Sequence, residues 1–221
     1  MQSASRVLVT ALAAFLLFSA QGAKAETNAL VAVPEPAPAA EADVTAWHER
    51  SIGNVDAPVT IVEYASMTCG HCAAFHELVL PHVKSELIDT GKARLVYRDF
   101  PLNGPAVKAA ALSRCMPEAR FFPFVAGVFK TQQTWVQNPD IESALVKMAA
   151  LAGLDEEKSR ACLANKPLED QILKVMQEAQ VKYNINSTPS FVFYDDKGEQ
   201  MKEYKPFTDL MEKHFKDAHK H

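Results

Sequence analysis

Cys69, Gly70, His71 and Cys72 place two thiols three residues apart in the stretch "TCGHCA". Such a pair can staple a loop, supply half of a zinc site, or cycle between dithiol and disulfide. The apolar, β-branched run "PVTIVEYAS" precedes it. Phe75, Leu78, Val79, Val83 and Leu87 follow at helical spacing. Cys69 is therefore expected where a strand hands over to a helix. There the free N–H groups and partial positive charge of the helix start stabilise a thiolate. A protonated His71 adds a further positive charge. Settings of this kind bring a thiol pKa from about 8.5 into the range ~3.5–7.5. A stabilised thiolate makes the corresponding disulfide a stronger oxidant. Cys72 falls one helical turn on, more deeply placed. Cys69 is thus the expected nucleophile and Cys72 the resolving thiol of a redox disulfide.

The competing readings are weaker. A structural disulfide across two intervening residues closes a strained ring. Zinc asks for four ligands and usually a second paired motif, whereas Cys115 and Cys162 stand apart. His76 and His82 are not expected to project beside the cysteines. Neither a metal nor a cofactor is expected. A second signal is "NSTPSFVFY", in which Thr188-Pro189 stands directly before an apolar strand. A cis bond there would turn the chain sharply and leave Thr188 backbone groups free to pair with an extended peptide. An ordinary trans proline ending a loop is the alternative. A third is Glu63, out of pattern inside an apolar strand. It either faces solvent, which strand reasoning favours, or lies buried under the thiols with a raised pKa, where it could move the proton of Cys72.

The elements that must position these residues alternate in type. A strand, the helix after the thiols and the strand "ARLVYRDF" make a βαβ unit. From Pro105 to about Tyr183 five segments have helical spacing, with Pro81 expected to kink the first helix upstream. "SFVFYDD", a turn at Lys197-Gly198 and "EQMKEYK" then read as a hairpin, followed by a charged helix from Phe207 to about His219. The fold class is α/β, a small sheet with a helical insertion. Its predicted parts are 47–104 and 184–221 for the sheet domain and 105–183 for the insertion. Trp135, Phe121, Phe122 and Phe124 are expected in the helical core. His214, His219 and His221 are expected in a solvated, frayed terminus rather than in a metal site.

The chain has 221 residues and a net charge of −4. That balance argues against nucleic acid as a partner. Arg6, the apolar run Val7 to Ala20 and "AKA" at residues 23–25 read as a signal peptide, residues 1–25, whose apolar run is shorter than the ~20 residues a membrane span needs. A Pro/Ala-rich linker, 26–46, follows. Removing residues 1–25 takes away two of the 23 basic residues and none of the 27 acidic ones, leaving a net charge near −6. Export permits disulfides. Cys115 and Cys162 then most simply pair, adding about 2–4 kcal/mol, with two separate buried thiols as the alternative.

"GNVDAPVTIVEYASMTCGHC", "YRDFPL" and "NSTPSFVF" together resemble the DsbA-like branch of the thioredoxin superfamily. The resemblance runs from about Trp47 to Phe215. It implies a thioredoxin fold with an inserted helical domain and a cis Pro189 beside the thiols. It also implies Glu63 as a buried acid six residues before Cys69. By the same resemblance the protein would be a periplasmic monomer that donates the Cys69–Cys72 disulfide to reduced, unfolded exported proteins. A quinone-linked membrane thiol oxidase of the DsbB-like kind would reoxidise it. Gly-His between the cysteines and Thr before the proline resemble the isomerase branch instead. An isomerase or reductase kept reduced by a membrane electron donor therefore stays open. So does a protein that uses the same thiols to bind copper.

Overall fold

The computed structural model describes residues 47–215. The expected signal peptide 1–25, the linker 26–46, His219 and His221 lie outside the described residues. Strand β2 (Thr60–Ala65) holds a central place, because each of its residues after Thr60 is buried. Beside it lie β1 (Arg50–Ile52), β3 (Arg94–Asp99), β4 (Ser190–Tyr194) and β5 (Gln200–Met201), in the order β1-β3-β2-β4-β5. β3 runs parallel to β2, and β4 antiparallel to it. The parallel pair needs a crossover, which the helix after the thiols supplies.

Strand parity decides which side chains meet which layer. Ile61 faces the crossover helix and packs with Phe75, Val79, Val83 and Leu87. Val62 and Tyr64 face the other way, against Ala179 and Ile185. Burying each large apolar side chain of this kind contributes about 1.5–3 kcal/mol. The crossover helix comprises α1 (Gly70–Ala74), a π-helical turn (Phe75–Val79), α2 (Leu80–Val83) and a second π-helical turn (Lys84–Ile88). Pro81 offers no N–H to the carbonyl four residues back. The turn ahead of it widens to π-type bonding rather than breaking.

Between β3 and β4 run α3 (Gly104–Arg114), α4 (Glu118–Lys130), α5 (Gln132–Val136), α6 (Ile141–Leu151), α7 (Glu156–Leu163) and α8 (Lys166–Tyr183). Asn103, Asp140, Asp155 and Asn165 cap four of them, each side chain accepting a first-turn N–H. α5 is a sixth segment where sequence spacing gave five. Its five residues are too short to show a helical period. Trp135, Phe121 and Phe124 are buried in the core of this layer, while Phe122 packs against it half-buried. Cys115, after α3, and Cys162, in α7, are disulfide-bonded, with Cα atoms 6.4 Å apart. α8 is shared: Leu168 and Ile172 join the helical core, and Ala179 covers the second face of the sheet.

A buried polar junction ties the helical layer to the sheet. Arg114 donates through Nε to Asp99 Oδ2 at 2.6 Å, and to the carbonyls of His48 and Tyr97 at 2.8 and 3.2 Å. Arg50 donates in turn to the carbonyls of Arg114 and Met116. β1 itself escaped the sequence reading, being three residues long with a charged first residue. At the other edge "EQMKEYK" pairs only over Gln200–Met201, and α9 begins at Lys205 (Lys205–Phe215). His214 is half-buried, its ring stacked on that of His82 at 3.6 Å. The expected solvated terminus therefore does not hold for this residue, because α9 packs along the crossover helix.

Candidate active site

Cys69 is the extended residue immediately before α1, with φ −85° and ψ 119°. Its N–H donates to Ser66 O at 3.0 Å, which turns the chain from β2 into the helix. Gln132 of α5 donates its amide N–H groups to the carbonyls of Met67 and Cys69, at 2.9 and 3.0 Å. The helical layer thereby fixes the loop that carries the thiols. Opposite lies the start of β4, where the Thr188–Pro189 bond is cis. The Cys69 thiol donates to Thr188 O at 3.3 Å.

Cys69 and Cys72 are free thiols, the first half-buried and the second fully buried. Their acidities are driven apart. The Cys69 thiol is lowered to about 5. Its largest cause is the hydrogen bond from Cys72, followed after an opposing burial effect by Thr188 and the backbone N–H groups of Cys72 and His71. The Thr188 hydroxyl is buried and has no hydrogen-bond partner while Cys69 is a thiol. An ionised Cys69 sulfur gives it an acceptor. Burial raises the Cys72 thiol far above its ordinary range, helped by its hydrogen bond to Cys69 and by the charge of Glu63. At neutral pH one sulfur is thus a thiolate and the other keeps its proton.

Glu63 is completely buried. The solvent-facing reading of this residue does not hold. It shares the face of Ile61, beneath the crossover helix, in register with Tyr97 on one side and Phe191 on the other. Its partner is His76, whose Nε2 lies 2.9 and 3.1 Å from the two carboxylate oxygens. His76 is itself buried against Phe129, with ring centroids 4.3 Å apart. A buried carboxylate is tolerated when it is paired in this way. The Tyr97 hydroxyl is buried nearby without a partner, and the charges of Asp99, Glu63 and Cys72 add to burial in raising its pKa.

The structure brings Cys69, Cys72, Thr188 and Pro189 together, with Glu63 behind Cys72. His71 is exposed at the first turn, its ring 6.0 Å from that of Phe215. Cys115 and Cys162 lie in the helical layer. Sequence reasoning missed His76 and Gln132. For His76 the signal was present: it stands four residues after Cys72, hence on the same helix face. It turns inward to Glu63, whose charge acts on Cys72, rather than to solvent. Gln132 is fixed only by tertiary packing and had no such signal.

Residues 45–213 match the family described as Thioredoxin. A Rickettsia conorii protein named for protein-disulfide oxidoreduction is 30% identical over 145 residues, 65% of this chain and 52% of its own length. The chain thus spans about half the length of that relative. Disulfide bond formation protein D of Bacillus subtilis is 26% identical, over 75% of this chain and 76% of its own. Among solved structures, alpha-DsbA1 of Wolbachia pipientis superposes with a TM-score of 0.66 at 34% identity, covering 77% of this chain and 92% of that one.

Proposed function

The chain belongs to the thioredoxin family, in its DsbA-like form with a helical insert, and from that premise we propose that it is an exported thiol–disulfide oxidoreductase that donates the Cys69–Cys72 disulfide to reduced proteins. The observation that carries this reading is the separation of the two thiols, an acidic, accessible Cys69 against a buried Cys72 that holds its proton.

In the oxidised protein a substrate thiolate attacks Cys69 Sγ. The Cys69–Cys72 bond breaks and a mixed disulfide forms. Cys72 departs as a thiolate into a buried place and must take a proton. The Glu63–His76 pair carries a hydrogen-bonded proton and lies close enough to Cys72 for its charge to act there. We assign it that delivery. A second substrate thiolate then attacks the substrate sulfur of the mixed disulfide. Cys69 leaves with the electron pair, an easy departure for an acidic thiol. The substrate gains a disulfide, and two electrons rest on the dithiol of this protein. The Thr188 backbone, beside Cys69 at the start of β4, is placed to pair with an extended substrate segment. A membrane thiol oxidase of the exported compartment would return the pair to the disulfide.

The test is the reduction potential of Cys69–Cys72 in glutathione buffers, read beside oxidative refolding of a reduced, denatured substrate. A potential well above the ~−180 mV of isomerase-type proteins, with stoichiometric disulfide transfer, is the expected result. A value at or below about −200 mV would overturn donation and move the reading to an isomerase or reductase. The Gly-His dipeptide is the feature on that side.

A further inference from the structure

On the crossover helix, away from the thiols, His82 and Glu86 are spaced four residues apart, and α9 brings His214 against them. One ligand atom from each lies within 4.8 Å of the others. The His82 and His214 rings are stacked at 3.6 Å, with planes 7° apart. Lys84, two residues from both His82 and Glu86, is paired with Asp89 at 2.5 Å. No lysine or arginine is ion-paired with Glu86 among the described residues. We propose that His82, Glu86 and His214 form a binding site for a borderline divalent cation of the zinc class, clamping α9 to the crossover helix.

The donor set selects the ion. Two imidazole nitrogens and one carboxylate oxygen suit zinc and its neighbours, whereas calcium and magnesium want oxygen alone. Three protein ligands leave a fourth tetrahedral position for water. Zinc–nitrogen bonds of about 2.0–2.1 Å put two ligand atoms roughly 3.3 Å apart across a tetrahedral centre. The site must therefore tighten slightly from its 4.8 Å bound, and the stacked rings must splay so that both lone pairs meet one ion. His82 and His214 are half-buried and Glu86 is exposed, so none of the three side chains is locked in a packed core. Nothing here depends on redox activity. Phe215, one residue on, touches His71 in the thiol motif, so the clamp would end beside the redox pair.

The probe is Zn(II), titrated calorimetrically into the untagged chain with Cys69 and Cys72 oxidised, so that neither sulfur can take metal. One ion per chain is expected, together with a rise in Tm on loading. His82→Ala and His214→Ala should each weaken binding at least as much as the ~10–100-fold that loss of an outer-shell partner costs. Both should also abolish the Tm rise. Glu86→Gln should weaken binding less, and His219→Ala/His221→Ala should leave it intact. No binding by the oxidised protein, binding unaffected by His82→Ala, or binding lost only with His219 and His221 would each overturn the site. Circular dichroism of the variants without metal separates loss of a ligand from loss of the fold.

Discussion

Cys69 owes its acidity first to the neighbouring thiol, and only then to Thr188 and the backbone N–H groups of the helix start. The ultraviolet thiolate absorbance of the reduced protein should therefore titrate with a midpoint near 5. Cys72→Ala should move that midpoint up, since it removes the largest cause. A midpoint unchanged in Cys72→Ala would leave the helix start as the main source. Glu63 tests the other sulfur. Glu63→Gln keeps the shape and a hydrogen bond to His76 but ends proton exchange by the carboxylate. General acid–base assistance is worth 10²–10⁴-fold, so disulfide opening by a model thiol should slow by roughly 10²-fold. The Cys69 midpoint should stay where it was. Equal rates for Glu63→Gln and the unaltered protein would remove the carboxylate from proton delivery. This site was half legible in the sequence. Cys69, Cys72, Thr188 and Pro189 are marked by motif and by position before a strand. Glu63 was visible as out of pattern, but its face depends on which layer covers each side of β2, and strand parity alone does not say that.

At the scale of elements, the first helix begins as it does because Cys69 stays extended and Gly70 takes the first helical position. Both conditions suit proline. The first turn needs no N–H from that residue, and a proline there asks only for an extended residue before it. A Cβ at Gly70 would meet nothing within 4 Å. Gly70→Pro should therefore stabilise the protein by about 0.4–1 kcal/mol in denaturant unfolding, through the unfolded chain. Destabilisation would mean that the helix start must flex. The junction between layers runs the other way. The Arg114 and Asp99 side chains are 1% and 2% exposed. Removing either partner leaves a buried charge alone. Asp99→Asn or Arg114→Met should cost about 3–5 kcal/mol, measured the same way. A cost below about 1 kcal/mol would show that water reaches the junction. The elements were legible in proportion to their length. α3, α4, α6, α7 and α8 are long enough to show a helical period. β1, α5 and β5 hold two to five residues each and gain their form from the sheet and layer they join. The π-helical turns answer to Pro81 and to packing, which periodicity does not report.

At the scale of the whole molecule, the thiol pair links stability to redox state. A depressed thiol pKa in the folded protein favours folding above the unfolded value near 8.5 and loses that benefit as pH falls through the folded value. Only the reduced protein carries this contribution, because the disulfide has no proton to lose. The reduced form should therefore gain stability relative to the oxidised form as pH rises from about 5 towards 8.5, and lose it again above that, where Cys72 ionises in the unfolded chain but keeps its proton in the fold. Cys72 adds nothing below about 8.5, because it keeps its proton in both the folded and the unfolded chain there. The same difference makes the disulfide easier to give to an ordinary dithiol at neutral pH than at pH 5, so the exchange equilibrium with glutathione and the stability gap must move together. Parallel unfolding curves of the two redox forms across this pH range measure the gap. A gap independent of pH, in a protein whose Cys69 still titrates near 5, would mean that the unfolded chain keeps the thiolate's hydrogen bonds. The acidity would then come from the local turn around Gly70 rather than from the fold that brings Thr188 to Cys69.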